Sequence, residues 1–212
     1  MKIDLALKVI KLLKSEDRIL TIMEKTGYDS SVCQAGMPLL KSENQILTIM
    51  KKTSYDSNIC EAGISLLKLK EKSENQILTI MKKTGYNSSV CQAGIPLLKS
   101  ENQILAVMKM THYDSDVCKV AIPWLKLEEK SEEEILSIME KTGYDSDVCQ
   151  TGIHMLKSED LILIIMEEMG YDSNICQAGI ALLKSEDQIL AVMEKTGYDS
   201  DVCQAGIKAL ER

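Results

Sequence analysis

Apolar residues recur along this chain at the spacing of an amphipathic helix, and the pattern returns every 27 or 31 residues. The apolar face within residues 42–53 consists of Ile46, Leu47, Ile49 and Met50. Ser42 stands three residues before Gln45, and Ser131 stands three residues before Glu134. Both pairs predict a capping box at the start of a first helix in the repeat.

A Schellman turn is predicted at the end of each first helix. Gly27 can take the left-handed conformation at C′ at little cost, which places Tyr28 at C″ and Met23 at C3. Five of the seven copies have Gly at this position. The other two have Ser54 and His112, which we expect to fit the turn less well.

A second helix is predicted after the Asp-Ser pair that follows the tyrosine. Its face within residues 29–40 consists of Val32, Ala35, Gly36, Leu39 and Leu40, with Cys33 and Met37 beside them. The small residues in mid-helix should let a neighbouring helix approach closely. Pro38, Pro96 and Pro123 lie inside this predicted helix, where we expect a solvent-facing bend and no break.

The two patterns together define a repeat. The predicted repeats span residues 14–40, 41–71, 72–98, 99–129, 130–156, 157–183 and 184–212, after a half repeat at 1–13. Residues 68–71 and 126–129 are insertions, predicted to lengthen the second helix by one turn. A period of this length indicates a solenoid. The expected fold is therefore all-α, with about 15 helices in one domain, residues 1–212.

The composition of the chain indicates which kinds of partner and which cellular location to expect. The net charge of −7 argues against nucleic acid as the main partner, because such binding depends on neutralising phosphates. No stretch of about 20 apolar residues is present, so no membrane span is expected. The chain start lacks a signal-peptide core, and we expect a cytoplasmic location. The seven cysteines occur once per repeat without a CxxC pair, which favours small buried hydrophobes over metal ligands or redox groups.

The sequence shows no set of residues typical of a catalytic site, such as a nucleophile with a base and an acid. His112 and His154 are isolated replacements of a Gly and a Pro, and the glycines form no phosphate loop. We therefore predict no enzyme activity, no cofactor and no metal site. The seven tyrosines allow two interpretations, a packed turn or a stacking ladder for single-stranded nucleic acid, and the acidic balance favours packing.

The second helix resembles the last helix of armadillo and HEAT repeats. The residues that carry the resemblance are Val148, Cys149, Gln150, Gly152, Ile153 and Leu156, after an Asp cap. The resemblance implies a right-handed superhelix with protein partners on the side of the second helices. The repeats are shorter than those of either family, and the Trp and Asn ladders that clamp a peptide in classical armadillo proteins are missing, with only Trp124 present.

A protein-interaction scaffold is the leading functional prediction. The predicted contact residues on the solvent side of the second helices are Gln34, Glu61, Gln92, Lys119, Gln150, Gln177 and Gln204. The alternatives are a repeat segment of a larger signalling or enzyme protein, or an RNA-binding helical repeat. Residues 1–98 carry 14 Lys+Arg and 10 Asp+Glu, whereas residues 99–212 carry 11 and 22. This asymmetry predicts either head-to-tail self-association or a partner with the opposite polarity of charge.

Overall fold

The computed structural model describes residues 1–212 and contains fifteen α-helices, four short 3-10 helices and no strand. The α-helices are α1 (Ile3–Ile10), α2 (Glu16–Lys25), α3 (Ser30–Gly36), α4 (Glu43–Lys52), α5 (Ser57–Leu67), α6 (Glu74–Lys83), α7 (Ser88–Gly94), α8 (Glu101–Met110), α9 (Ser115–Leu125), α10 (Glu132–Lys141), α11 (Ser146–Ile153), α12 (Glu159–Glu168), α13 (Ser173–Ile180), α14 (Glu186–Lys195) and α15 (Ser200–Leu210). The 3-10 helices are η1 (Met37–Leu39), η2 (Leu69–Glu71), η3 (Ile95–Leu97) and η4 (Leu127–Glu129). The prediction of an all-α helical repeat with 15 helices is confirmed.

The helices form two compact units, residues 1–103 and residues 104–212. In the first unit the second helices α1, α3, α5 and α7 contact one another in succession, and α2, α4 and α6 each pack on the second helix that follows. In the other unit α9, α11, α13 and α15 form the same kind of row, with α10, α12 and α14 packed on it. Each unit therefore has a row of second helices with first helices along one side. The continuity of one array and the hand of its superhelix stay predictions.

The first helices begin at the predicted serines, but their caps differ. The capping box of Ser131 and Glu134 is confirmed, with hydrogen bonds in both directions. The box predicted for Ser42 and Gln45 is wrong, because the Ser42 side chain makes no cap hydrogen bond. The backbone N–H of Ser42 donates instead to Oε2 of Glu16, at 3.3 Å, in the preceding repeat.

The hydrogen bond from a backbone N–H to a glutamate of the preceding repeat recurs along the chain. Glu16 Oε2 also accepts the N–H of Lys41 at 3.1 Å. The equivalent bonds join Glu74 to Lys99 at 3.2 Å, Glu132 to Ser158 at 2.9 Å, and Glu159 to Lys184 at 3.0 Å and Ser185 at 3.3 Å. Each carboxylate satisfies N–H groups that the start of the next first helix leaves free. The repeats are thus joined by charge-assisted hydrogen bonds as well as by apolar packing.

The Schellman ending of the first helices is confirmed. The N–H of Gly27 donates to the carbonyl of Glu24 at 2.9 Å, and the N–H of Tyr28 donates to that of Met23 at 2.8 Å. Gly27 has φ +66°. Each tyrosine also adopts a positive φ, +57° at Tyr28, which the sequence did not indicate. Each first helix therefore ends in two consecutive left-handed residues.

Second helices with a proline end earlier than predicted at two of three sites. The α-helix stops at Gly36 and Gly94, and the following turn, with Pro38 or Pro96 as its second residue, is a 3-10 helix. The backbone there changes from α to 3-10 geometry without a break, so a change of helix type replaces the predicted bend within one α-helix. Only Pro123 lies inside an α-helix.

The change to a 3-10 turn also alters the apolar face. Leu39 is 37% exposed, so its predicted place in the buried face is wrong. Cys33 and Met37, predicted to lie beside the face, are fully buried. The tighter 3-10 turn rotates the last residues relative to the α pattern, which turns Leu39 towards solvent.

The four-residue insertions adopt a compact turn. Helix α5 does continue to Leu67, but Lys68 takes the left-handed conformation at φ +49° and residues 69–71 form η2. Residues 126–129 repeat this geometry after α9. The prediction of a second helix longer by one turn is confirmed, because α5 and α9 have 11 residues against 7 in α3 and α7, but the inserted residues themselves form the turn that follows. Leu69 and Leu127 are buried, at 6% and 1% exposed, and anchor the two turns.

A methionine packs on the mid-helix glycine of each second helix that has one. A Cβ at Gly63 would lie 2.6 Å from Met50 Sδ, and one at Gly206 would lie 2.9 Å from Met193 Sδ. No ordinary Cβ contact is that short, so a side chain there would require the methionine to move, and glycine lets the methionine of the first helix approach without a shift. This close approach confirms the packing reason given for the small residues.

Candidate partner-binding face

The predicted contact residues occupy equivalent positions on successive second helices. They are Gln34, Glu61, Gln92, Lys119, Gln150, Gln177 and Gln204, on α3, α5, α7, α9, α11, α13 and α15. Six of them are exposed. Gln92 is half-buried, and its Nε2 donates to Ser88 Oγ at 3.0 Å. The structure thus places three of these residues in one row in the first unit and four in another row in the second, and their part in binding stays a prediction.

The N-caps of the second helices place these side chains in the same register. Asp29 Oδ1 accepts the backbone N–H of Ser31 at 3.1 Å and of Val32 at 3.2 Å. Hydrogen bonds from the Ser31 hydroxyl and the backbone hold the pKa of the Asp29 carboxyl below its usual value. Gln34 follows this cap by five residues, and the same interval separates cap and contact residue in every copy. Each contact residue therefore leaves its helix at the same point of the second turn.

An apolar groove of about 520 Å³ lies between the end of α5 and the end of α7 in the first unit. Its apolar lining consists of Ile64, Leu69, Ala93, Pro96 and Leu97. Gln92, one of the predicted contact residues, lies in its wall. The inserted turn, residues 68–71, forms one side, so the insertion that lengthens the repeat also builds this groove. We call it the α5–α7 groove.

An equivalent and smaller groove lies between α9 and α11 in the second unit, with a volume of about 360 Å³. Ile122 and Gln150 occupy the positions that Ile64 and Gln92 hold in the first groove. Its lining is more polar, because it includes Thr151 and Asp147, and Asp147 Oδ2 accepts a hydrogen bond from Ser115 Oγ at 2.9 Å. The two grooves therefore share part of their lining but differ in polarity, and only the α5–α7 groove includes an inserted turn.

The two inserted turns, of which residues 68–71 line the α5–α7 groove, carry opposite unpaired charges. Both turns contain one pair of opposite charges three residues apart, Lys68 with Glu71 at 3.8 Å and Lys126 with Glu129 at 3.3 Å. The third charged residue of the turn is Lys70 in the first unit and Glu128 in the second, both exposed and both without an ion-pair partner. These two residues belong to the candidate face, and they were not predicted because an insertion of four residues suggested one more helical turn.

Trp124 is a further exposed apolar residue on the second helices. It occupies the position of Leu39, Leu66, Leu97, Met155, Leu182 and Ala209 in the other copies. Trp124 is 46% exposed, and it lies four residues before Glu128. An exposed aromatic ring of this kind is typical of the anchor residues of protein interfaces.

The cysteines are free thiols, and six of the seven are buried. Burial is the first cause that raises their pKa, to about 11 at Cys33 and to about 12 at Cys118, Cys149 and Cys176. Nearby aspartates, such as Asp145 beside Cys149, add to the shift. Protonated buried thiols are poor nucleophiles and poor metal ligands, in agreement with their prediction as small hydrophobes.

The tyrosines pack against the following repeat. Lys52 Nζ lies 5.9 Å from the ring centre of Tyr28, and the Tyr113 hydroxyl donates to the backbone carbonyl of Lys141 at 3.4 Å. Tyr198 has no following repeat in this chain and is 65% exposed. The other six are half-buried. This geometry supports the packing interpretation over the stacking ladder, which needs open ring faces.

Comparison with known protein families, with curated proteins and with solved structures finds no match for this chain. No helix is both long and apolar enough to span a bilayer. No three His, Cys, Asp or Glu side chains converge in a way that could hold a metal ion. His112 and His154 are both exposed, and His112 has φ +54° in the Schellman turn. The geometry of the two rows and their grooves is therefore the basis for a functional proposal.

Proposed function

We propose that this chain is a protein-interaction scaffold of the armadillo/HEAT-like type, with no catalysis of its own. Its partner-binding face comprises the exposed contact residues of the second helices and the two grooves between them. Partners are proteins or peptides. The seven free thiols fit a reducing compartment such as the cytoplasm.

The observation that carries this proposal is the regular placement of exposed side chains on a packed row of helices. Buried positions of the second helices scarcely vary, as with the cysteine present in all seven copies. The exposed contact position changes from Gln to Glu61 and Lys119. Because the helices are fixed by Asp caps and by glutamate bonds between repeats, this face is preorganised, which lowers the entropy cost of binding.

The charge of the face favours a protein partner over nucleic acid. The second unit contains most of the acidic residues, and its groove contains Asp147. A phosphate backbone would meet repulsion there. The contact positions also hold Gln in five of the seven repeats, which gives little variety for reading a base sequence one repeat at a time.

Proximity labelling in cells, with a labelling enzyme fused to the chain, tests this function. The test variant combines Glu61→Lys with Lys119→Glu, two exposed contact residues. The matched control combines Lys51→Glu with Glu194→Lys, two exposed residues at the ends of first helices. Both variants keep the net charge of −7. We expect the test variant alone to lose wild-type partners, and equal recovery of every partner by both variants would contradict the proposal.

A further inference from the structure

The α5–α7 groove and Trp124 have matching chemistry. The groove is apolar at its base and has the unpaired Lys70 in its lining. Trp124 is the one tryptophan of the chain, is 46% exposed, and is followed by the unpaired Glu128. The groove lies in residues 1–103 and Trp124 lies in residues 104–212.

We propose that the α5–α7 groove binds a second copy of this chain, which inserts Trp124 and places Glu128 against Lys70. The inference rests on the proposed interaction function and names one partner for the same face. An indole is a large anchor with two rotatable bonds, so it buries much surface at a small entropy cost. The groove volume of about 520 Å³ accommodates such a ring.

Charge complementarity favours a second copy as the occupant. Each inserted turn has an equivalent ion pair, Lys68 with Glu71 and Lys126 with Glu129. The remaining charged residue has opposite signs in the two turns, positive at Lys70 and negative at Glu128. Self-association therefore brings a free cation and a free anion together, and neither has to leave an existing partner. Residues 99–212 carry an excess of acidic residues and residues 1–98 a small excess of basic ones, so the two parts of neighbouring copies also attract each other at long range.

The same residues disfavour the opposite pairing. The α9–α11 groove contains Asp147 and is smaller, at about 360 Å³ against about 520 Å³. A Trp124 followed by Glu128 would meet like charge there. The apolar residues at the Trp124 position in the first unit are Leu39, Leu66 and Leu97, and the most exposed of these smaller side chains is Leu39 at 37%. Trp124 and the α5–α7 groove are therefore the pair that the surface favours.

Light scattering after size-exclusion chromatography, together with the fluorescence of Trp124, tests this inference. We expect the mass of the wild type to rise above 23.7 kDa with concentration, and the emission to move to shorter wavelengths as the indole is buried. Trp124→Leu and Lys70→Glu should each weaken association by about tenfold or more. Both changes copy a residue that stands at the equivalent position elsewhere in the chain, Leu66 and Glu128, so the fold should tolerate them.

A charge exchange provides the rescue, and a remote lysine provides the control. The double variant Lys70→Glu with Glu128→Lys should regain most of the association that Lys70→Glu loses. Lys51→Glu changes the same charge on an exposed first-helix residue and should leave association nearly unchanged. A mass that stays at 23.7 kDa at every concentration overturns the inference. A double variant without rescue, or an equal effect of Lys51→Glu, does the same.

The outcomes separate this inference from the proposed function. A monomeric chain whose labelled partners still depend on Glu61 and Lys119 would remove self-association and leave the scaffold function standing. A chain that associates through Trp124 while both labelling variants recover equal partners would remove the wider scaffold function. The two experiments therefore fail independently.

Discussion

Replacing Ser54 with glycine is expected to stabilise the protein. Ser54 has φ +51°, a left-handed conformation that five of the seven copies adopt with glycine. Its N–H donates to the carbonyl of Lys51 at 3.1 Å, so the Schellman turn forms in spite of the residue. The Ser54 side chain is exposed and makes no hydrogen bond. The substitution therefore removes backbone strain without removing a contact.

The expected gain is the difference between two backbone effects. A non-glycine residue in the left-handed region costs about 1–2 kcal/mol. Glycine makes the unfolded chain more flexible, which returns about 0.4–1 kcal/mol of this gain. We therefore expect Ser54→Gly to raise the free energy of unfolding by about 0.5–1 kcal/mol.

Urea unfolding followed by circular dichroism measures this change, and the reverse substitution in the same unit is the control. Gly85 has φ +64°, and a Cβ placed there meets no atom within 4 Å. Gly85→Ser should therefore lower stability by a similar amount through backbone strain alone. We expect the urea midpoint to move in opposite directions for the two variants at a constant m-value. A lower midpoint for Ser54→Gly, or an unchanged midpoint for Gly85→Ser, would refute the strain explanation.

Further predictions concern the thiols, the bonds between repeats and the glycine contacts. Burial raises the pKa of Cys118 and Cys149 from 9.0 to about 12, so between these values only the unfolded state releases the protons and stability should fall as the pH rises, by up to about 1.4 kcal/mol per pH unit for each thiol. Cys149→Ala should flatten the pH dependence of the urea midpoint, and a midpoint that stays level across that window in the wild type would contradict the burial argument. Glu159→Ala should lower the stability measured by thermal unfolding by about 0.5–2 kcal/mol, because it leaves the N–H groups of Lys184 and Ser185 without their acceptor. The control Asp160→Ala, at an exposed neighbouring residue, should cost clearly less. Equal losses would refute a contribution of the hydrogen bonds between repeats. Gly63→Val should destabilise by about 1–3 kcal/mol by clashing with the methionine of α4, and a calorimetric midpoint at or above that of the wild type would count against it.

The elements encoded by short-range signals were predictable from the sequence. A serine followed by a glutamate three residues later gave the box at Ser131 because both partners lie in one turn. The Schellman turn at Gly27 follows from one residue without a Cβ. At Ser42 the same local rule was wrong, because the competing acceptor is Glu16, 26 residues earlier in the chain and adjacent only after the repeats have packed. Local sequence signals therefore predicted where the helices begin and end, whereas the packing of the repeats determines which acceptor binds the first N–H groups of a helix.

The candidate face was predictable only where it follows the helix register. Gln34 and five of its six equivalents were placed correctly on exposed helix positions because a helical period of 3.6 residues determines which side of the helix they occupy. Lys70 and Glu128 were missed, because a length of four residues suggested one more helical turn. The left-handed conformation of Lys68 and Lys126 has no signal in the sequence, since neither residue favours it.

The two inserted turns suggest where repeats of this chain are free to differ in function. Their common features are the left-handed lysine, the buried leucine at 69 or 127, and the glutamate that pairs with the lysine, and these hold the turn in both units. The residue left over makes no ion pair within the turn, so its sign has little effect on stability. Exchanging lysine for glutamate at this position, as between Lys70 and Glu128, is therefore nearly neutral for the fold. The exchange nevertheless reverses the charge that the turn presents to a partner. Such a position can acquire a binding preference without loss of the stack, which is why the proposed contact between copies rests on these two residues.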